Sequence, residues 1–541
     1  MAELPRLERA SAHTRLIVDG SPFLCLGGEL RNSSASDAVH MAPIWRAIGR
    51  SGVNSIIAPV GWDQVEPSEG EFDFSVVDEL LAGARSAGVR LVLIWFGAYK
   101  NALSTYAPTW VRQDSARFER ADRGPSPVRA PFTYEGSMPR PTLSVFSGPL
   151  READEAAYGA LMEHLARVDG DHTVVMMQVE NEVGLLGSSR DRSAAAQLAW
   201  QSPVPEALVE AVANEPAAFH DDVVDLFGRS RPGGASWQER FGDDDPLADE
   251  VFMAWGFASY VGALAAKGKQ IKALPAYANA WLGPQPGQDM PGQYPSGGPT
   301  ARMSGVWRVA GPALDFVAPD IYVSDSESVM RDYTSAINPL FVPEARVLTG
   351  DAFRAFGAFH AMGYHVFGID DVREESQLYD AFRKLLALAP QILDAQRDGR
   401  VMGFALDPGT DAATARLGST TITVRSAPKL LADMLLDAGV RLPEPAPLPD
   451  ETLPSAHAPS PGDSRPFGII METGNLQYIA LGRQAMVDFS REGSLLEIDS
   501  LRELRLHDGA WVEGRILNGD ERLMILGAHG VSAVKITLIE R

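Results

Sequence analysis

The sequence predicts an α/β fold: a (β/α)8 TIM barrel followed by an all-β sandwich. Three observations carry that expectation. Eight short apolar runs recur through the first two-thirds of the chain, helical-period stretches alternate with them, and the character changes near residue 398 to short β-type runs. Alternating strand and helix patterns indicate a parallel sheet covered by helices. The expected organisation is a barrel over residues 1–398 and a sandwich over 399–541.

The eight runs are Phe23–Gly28, Val53–Val60, Arg90–Phe96, Thr173–Glu180, Ala273–Trp281, Leu314–Tyr322, Pro339–Glu344 and Tyr364–Ile369. Continuous Val/Ile/Leu-rich segments are what parallel strands buried on both faces require. The fifth is the weakest, because Pro275 lies inside it. Apolar residues at three- and four-residue spacing predict helices over Ser75–Ala87, Glu152–Val168 and Ser376–Gln396. The last would close the barrel with Leu378, Phe382, Leu385, Leu386, Leu388 and Ile392 on one face. Long irregular segments follow the third, fourth and fifth runs. In a barrel, those loops build the rim where active sites sit.

The tail contains VMGFALD, TTITVRS, FGIIMETG, QYIALGRQAMVDFS, SLLEIDSLREL and AVKITLIER. These runs are separated by Gly, Asp and Pro turns, which reads as a sandwich. The Pro-rich segment Leu442–Ser464 reads as a loop or semi-rigid linker within it.

Composition narrows the function. The chain has 541 residues and a formal net charge of −23. Such a field repels nucleic acid and anionic membrane surfaces and suits a neutral substrate, and as solvated surface it also keeps the protein soluble. The single cysteine, Cys25, forbids an internal disulfide and reads as a small buried apolar filler. No run of about 18 apolar residues could span a membrane. The N-terminal stretch lacks the apolar core of a signal peptide, so a soluble protein is expected, with the compartment open. No His/Cys/Asp cluster has metal-ligand spacing, and neither a phosphate-binding glycine fingerprint nor a Gly-x-Ser-x-Gly elbow is present. No metal and no cofactor is expected. Homo-oligomerisation stays open.

The strongest local signal is Met176-Met177-Gln178-Val179-Glu180-Asn181-Glu182. An apolar strand here runs directly into an amide and carboxylates, at the barrel end where catalytic groups belong. Phe341-Val342-Pro343-Glu344 ends the seventh run in the same way. Two carboxyls on one rim match the needs of a retaining glycosidase, which places them about 5–5.5 Å apart across the sugar bond. One must keep its proton, and burial beside a second carboxylate makes that achievable near neutral pH.

Other polar and aromatic residues lie near strand ends and are candidates for holding a sugar. They are Asn181, Trp62, Lys100, Asn101, Trp281, Tyr322, Glu29 and Asn279. Glu29, in GGELRNSS, either binds a hydroxyl or pairs with Arg31. Asp370-Asp371 reads as a helix-capping pair.

The stretch MMQVENEVG resembles the acid/base motif of glycoside hydrolase family 35, the β-galactosidases of clan A. GWDQVEPSEGEFDF (Gly61–Phe74) is similar to that family's second-strand stretch. The likeness covers about residues 15–398. Trp95–Val111 and the β-rich tail resemble a bacterial subgroup with its own C-terminal β-domain, some of whose members act on galactose side chains of plant polysaccharides. The resemblance implies Glu182 as acid/base, Glu344 as nucleophile, a tyrosine steadying the nucleophile (Tyr322), and a retaining exo-β-galactosidase that needs no cofactor. One departure stands out. Many members carry a Cys-Ala-Glu-Trp type stretch whose Glu helps hold the sugar, and here the region reads Gly97-Ala98-Tyr99-Lys100-Asn101. That leaves open a β-glycosidase of another sugar specificity, such as a β-glucosidase or endo-glycanase, and also a non-catalytic carbohydrate-binding protein.

Overall fold

The structure is a computed structural model that describes residues 3–10, 13–100, 106–124, 128, 142–440, 463–517, 519–528 and 530–541. Eight strands form a closed parallel ring: β1 (Cys25–Glu29), β2 (Ser55–Gly61), β3 (Arg90–Lys100), β4 (Val174–Asn181), β5 (Ala276–Ala280), β6 (Phe316–Ile321), β7 and β8 (Gly363–Phe367). Strand β7 is split into Phe341–Val342, which pairs with β8, and Glu344–Ala345, which pairs with β6. Pro343 lies at the break, where it has no N–H to give to either ladder. Pairing of β8 with β1 completes the circle. Each of the eight expected runs thus supplies one strand, and the weak fifth begins just after Pro275.

A helix follows each strand. Ser75–Ala87 has the expected bounds, and the third helix runs Gly148–Val168. The expected closing helix is two helices, Gln377–Leu386 and Ala389–Arg397. Pro390 explains the break: it lacks an amide hydrogen, and its ring would clash with the carbonyl four residues back. The segment after β4 is not irregular. It holds the helices Ala194–Trp200, Glu206–Asn214, Asp221–Gly228 and Trp237–Phe241 before the long barrel helix Pro246–Ile271. The loop after β5 is pinned to the loop after β4, because Leu185 and Ser296 exchange backbone hydrogen bonds. An N-terminal three-stranded antiparallel sheet packs Leu16 and Val18 against barrel residues Cys25, Ile57 and Val92.

The tail forms two antiparallel sheets. The larger contains β9 (Val401–Ala405), β12 (Phe467–Gly474), β13 (Gln477–Arg483), β15 (Leu496–His507), β16 (Ala510–Ile516) and β17 (Ser532–Glu540). The smaller contains β10 (Ala412–Leu417), β11 (Thr420–Ser426) and β14 (Ala485–Ser490). Phe404, Ile470, Ala480 and Ile536 of one sheet share an apolar cluster with Ile422, Val424 and Val487 of the other, so the two make a sandwich. A helix, Ala427–Asp437, sits between β11 and β12. The sequence reading passed over it, although Ser426 caps it and Pro428 opens it. Most of the Pro-rich segment lies outside the described residues.

The barrel and sandwich meet closely. The helix Thr349–Ala358 lies against β9, and a Cβ placed on Gly357 would come within 2.4 Å of Gly403. Only two glycines permit that approach. Around it, Arg465 reaches Asp351 (2.9 Å), Asp407 (2.5 Å) and Asp463 (2.8 Å), and Arg354 reaches Asp407 (2.6 Å). Among the described residues, no helix is long and apolar enough to cross a membrane.

Candidate active site

The chemistry converges at the C-terminal ends of the barrel strands. Glu182 follows β4 and Glu344 opens the second segment of β7. Glu344 is 7% exposed and stands in register with Asp320 of β6. Burial and the nearby Glu344 carboxylate push the Glu182 carboxyl up to about 7 from its ordinary 4.5, while Lys100 and a hydrogen bond with Asp320 pull the other way. Glu344 is also raised by burial, but Lys100 and the Tyr322 hydroxyl draw it back down. The two carboxyls therefore sit close enough to feel each other in unequal surroundings. Such an arrangement separates the first ionisation from the second and divides acid and base roles.

Tyr322 extends from the end of β6. The residue is 42% exposed, yet its hydroxyl donates to Glu344 Oε1. The expected tyrosine is thus brought to the expected carboxylate. Lys100 ends β3, buried, with its ammonium 5.3 Å from the centre of the Phe96 ring. Its charge acts on Glu29, Glu182 and Glu344 alike.

The β4 end is bent to present these groups. Alternation along a strand would send Glu180 and Glu182 to one side. Instead Glu180 (φ 62°) and Glu182 (φ 45°) both adopt the left-handed conformation. Each such non-glycine residue costs of order 1–3 kcal/mol, a strain found characteristically at functional sites. Glu180 turns to the β3 side, where its carboxylate accepts the backbone N–H groups of Gly97 (3.1 Å), Ala98 (3.0 Å) and Tyr99 (3.0 Å). Asp154 lies beside it and accepts from the Trp95 indole, Tyr260 and Ala98. Together they fix the end of β3 that carries Lys100. Glu182 turns to the β5 side, where its N–H donates to Asn279 Oδ1 at 2.9 Å.

Asn279 is therefore placed differently from the expectation that it holds substrate. Its nitrogen donates to Asn181 Oδ1 (3.1 Å) and Asp320 Oδ2 (2.7 Å), so the whole amide is engaged with protein. It ties the Glu182 backbone to Asp320. Asn181 keeps one group in reserve. Its oxygen accepts from Gln178 and Asn279, while its buried Nδ2 has no hydrogen-bond partner among the described residues and is available to a ligand.

Glu29 does not pair with Arg31. Arg31 binds Asp371 at 2.5 Å, and Asp370 accepts from Arg31 N and the Ser34 hydroxyl. This also corrects the capping role expected of Asp370-Asp371, because the cap of the next helix is Ser376. Glu29 is buried with Oε2 unpartnered among the described residues, and burial followed by Glu344 raises its carboxyl well above the ordinary range.

Trp62 corrects another expectation. It is 0% exposed, its indole donates to Glu66 Oε2 at 2.8 Å, and its ring meets Trp110 edge-on. It anchors the core behind β2 and offers no surface to a sugar. Trp281 lies half-buried just past β5, on the rim. Asn101 lies outside the described residues. Cys25 is buried with its thiol pushed up to about 12, which keeps it neutral and matches the filler role.

One functional residue was missed. Asp320, in β6, is 2% exposed and linked to Asn279, Glu182 and Glu344. The signal was present in LDFVAPDIY: an acidic residue inside an apolar run, the same anomaly that drew attention to Asn279.

Comparison with known proteins bears on this site. The glycoside hydrolase family 42 model, described as beta-galactosidase, matches residues 39–207, which include Glu182. A domain of unknown function (DUF5597) matches residues 378–527. No curated protein matches the chain. Among solved structures, the β-galactosidase from Bacillus circulans sp. alkalophilus is 11% identical over 95% of this chain and 99% of that one, with a TM-score of 0.48. The β-galactosidase from the psychrophilic Marinomonas ef1 is 16% identical over 60% of this chain and 48% of that one (TM-score 0.36). That from Rahnella sp. R3 is 15% identical over 68% of this chain and 56% of that one (TM-score 0.42). The chain thus spans about half the length of the latter two. Residues 39–207 are thus similar to glycoside hydrolase family 42, which corrects the resemblance to family 35.

Proposed function

We propose that the chain is a retaining exo-β-galactosidase in which Glu182 is the acid/base and Glu344 the nucleophile. The observation that carries this reading is the unequal setting of two adjacent buried carboxyls at the ends of β4 and β7. Lys100 and the Tyr322 hydroxyl favour the ionised form of Glu344, and Glu344 in turn favours the protonated form of Glu182. At neutral pH the first can attack while the second still has a proton to give.

The reaction follows in two displacements. Glu344 attacks the anomeric carbon as Glu182 protonates the departing oxygen, giving a covalent glycosyl-enzyme. Glu182, now a carboxylate, removes a proton from water, the water displaces Glu344, and the sugar leaves with net retention. Asn181 Nδ2 and Glu29 are the candidates to hold hydroxyls beside the reacting carbon. Terminal galactosyl residues of oligosaccharides or plant polysaccharide side chains are the proposed substrates. Another β-sugar is the second reading, because the buried unpartnered groups of Asn181 and Glu29 would serve the hydroxyls of other β-sugars as well.

Hydrolysis of a panel of nitrophenyl glycosides tests this. The β-galactoside alone should be cleaved, and Glu344→Gln should abolish turnover while leaving the fold intact. Cleavage of a different β-sugar would keep the mechanism and overturn the specificity. Undiminished turnover by Glu344→Gln would overturn the assignment of the nucleophile.

A further inference from the structure

Asp320 is a buried carboxyl that the double displacement does not use. It lies deep in β6, in register with Glu344, and its Oδ2 accepts the Asn279 amide at 2.7 Å. Its other oxygen, Oδ1, is buried with no hydrogen-bond partner among the described residues, and no Lys or Arg there forms an ion pair with Asp320. The carboxyls of Asp320 and Glu182 stand within hydrogen-bond reach of each other. Two carboxylates cannot share a hydrogen bond unless one carries a proton. Asn279 completes the unit, since its oxygen holds the Glu182 backbone while its nitrogen holds Asp320.

We propose that Asp320 is a positioning residue for Glu182: it stays a neutral carboxylic acid anchored by Asn279, and it donates a hydrogen bond to the Glu182 carboxylate once Glu182 has handed its proton to the leaving oxygen. This rests on the reading of Glu182 as acid/base. A buried carboxylic acid kept neutral by its surroundings is a recognised way to supply a strong donor inside an active site. Every acidic group facing Asp320 works in that direction. Burial comes first, followed by Glu344 from β7, Glu182 from the end of β4 and Glu29 from β1, all raising its carboxyl well above the ordinary range. The phenols of Tyr277 on β5, Tyr322 after β6 and Tyr333 also neighbour it, and Lys100 on β3 acts on its three acidic neighbours. The proton stays on Asp320 through both half-reactions, so the proton count of the double displacement is unchanged. What changes is Glu182: as a carboxylate it is held in place by a charge-assisted bond through the second step.

Two replacements and one spectrum test this on the full chain. Asp320→Asn keeps a donor and an acceptor of nearly the same shape. Asp320→Ala removes both. The infrared difference between wild type and Asp320→Asn at pH 7 should contain the carbonyl band of a neutral carboxyl. With a nitrophenyl β-galactoside, Asp320→Asn should stay within about threefold of wild type and keep its basic pH limb. Asp320→Ala should slow the deglycosylation step by roughly ten- to a hundredfold and move the basic limb up by about one pH unit, the scale of a lost bond to a charged group. A carboxylate band in place of the neutral one would overturn the proposal. So would an Asp320→Asn enzyme as impaired as Asp320→Ala, or an Asp320→Ala enzyme with wild-type kinetics. If Asp320→Ala does not fold, the band and Asp320→Asn decide. Silence of the wild type itself on every glycoside would remove the acid/base reading and this proposal with it, whereas silence of the variants alone concerns Asp320.

Discussion

Replacing Glu182 by Gln keeps the shape of the side chain and removes its titration. In the folded protein the carboxyl ionises at about 7 instead of the ordinary 4.5. Between those values the folded state holds a proton that the unfolded chain has released, so stability falls as pH rises. The loss is absent below the unfolded value and complete above the folded one. At about 1.4 kcal/mol per pH unit it amounts to roughly 3 kcal/mol at pH 7.5. Gln carries no such penalty and still presents an oxygen to Asp320. For a domain of this size each kcal/mol moves the melting temperature by about 2 °C. The melting temperature of Glu182→Gln, relative to wild type at the same pH, should therefore climb by roughly 3–6 °C between pH 4.5 and pH 7.5. Calorimetry of both proteins at those two pH values and one between is sufficient. A difference that stays constant with pH, or shrinks as pH rises, would refute the picture of Glu182 as a carboxyl held protonated by burial and by Glu344.

Three further perturbations probe the surroundings. Tyr322→Phe removes the hydroxyl that donates to Glu344; a bond to a charged group on a half-exposed residue is worth about 1.5 kcal/mol, so the acidic limb of kcat/KM, which reports ionisation of the nucleophile, should move up by about one pH unit. Gly97→Ala places a Cβ within 2.5 Å of the Trp95 indole nitrogen and 2.7 Å of both Asp154 Oδ1 and Glu180 Oε1. It should lower stability by about 1–3 kcal/mol in denaturant melts and reduce kcat/KM through displacement of Lys100, whereas an unchanged kcat/KM would show that this end of β3 is not what places that lysine. Arg465→Ala leaves the buried Asp463 without a cation and Asp351 with only Arg354, 3.6 Å away, at a cost of about 3 kcal/mol; calorimetry should then separate barrel and sandwich into two transitions, and a single sharp transition would mean that the remaining Gly357–Gly403 and Arg354–Asp407 contacts couple them.

What the sequence disclosed, and what it hid, follows from the range of each interaction. The strands were legible because parallel strands buried on both faces need unbroken apolar runs, and even the Pro-interrupted fifth run held from Ala276 onward. Glu182 and Glu344 stood out as candidates because a carboxylate at the end of such a run is anomalous. Trp62 was misread because the sequence cannot say which way an indole turns, and here it turns inward to Glu66. Asn279 was found but given the wrong task, since its three bonds go to residues 41, 97 and 98 positions away in the chain. Asp370-Asp371 has the composition of a cap, yet Arg31 and Ser34, more than 330 positions away, claim it.

The bend at the end of β4 links these parts. Glu180, Asn181 and Glu182 follow one another in the chain but serve three directions: Glu180 the Gly97–Tyr99 end of β3, Asn181 the amides of Gln178 and Asn279, and Glu182 the side of Asn279 and Asp320. A regular strand could supply only two faces. The left-handed residues at 180 and 182 provide the third, and the bonds at each end keep that strained backbone in place. Three backbone N–H groups hold Glu180, and the Asn279 carbonyl holds the amide of Glu182. Asn279 thereby ties backbone strain to proton chemistry, because the same amide that secures the turn at Glu182 also secures Asp320. A change at Asn279 should for that reason disturb stability and the basic pH limb together, while a change at Tyr322, on the other side of the nucleophile, should move only the acidic one.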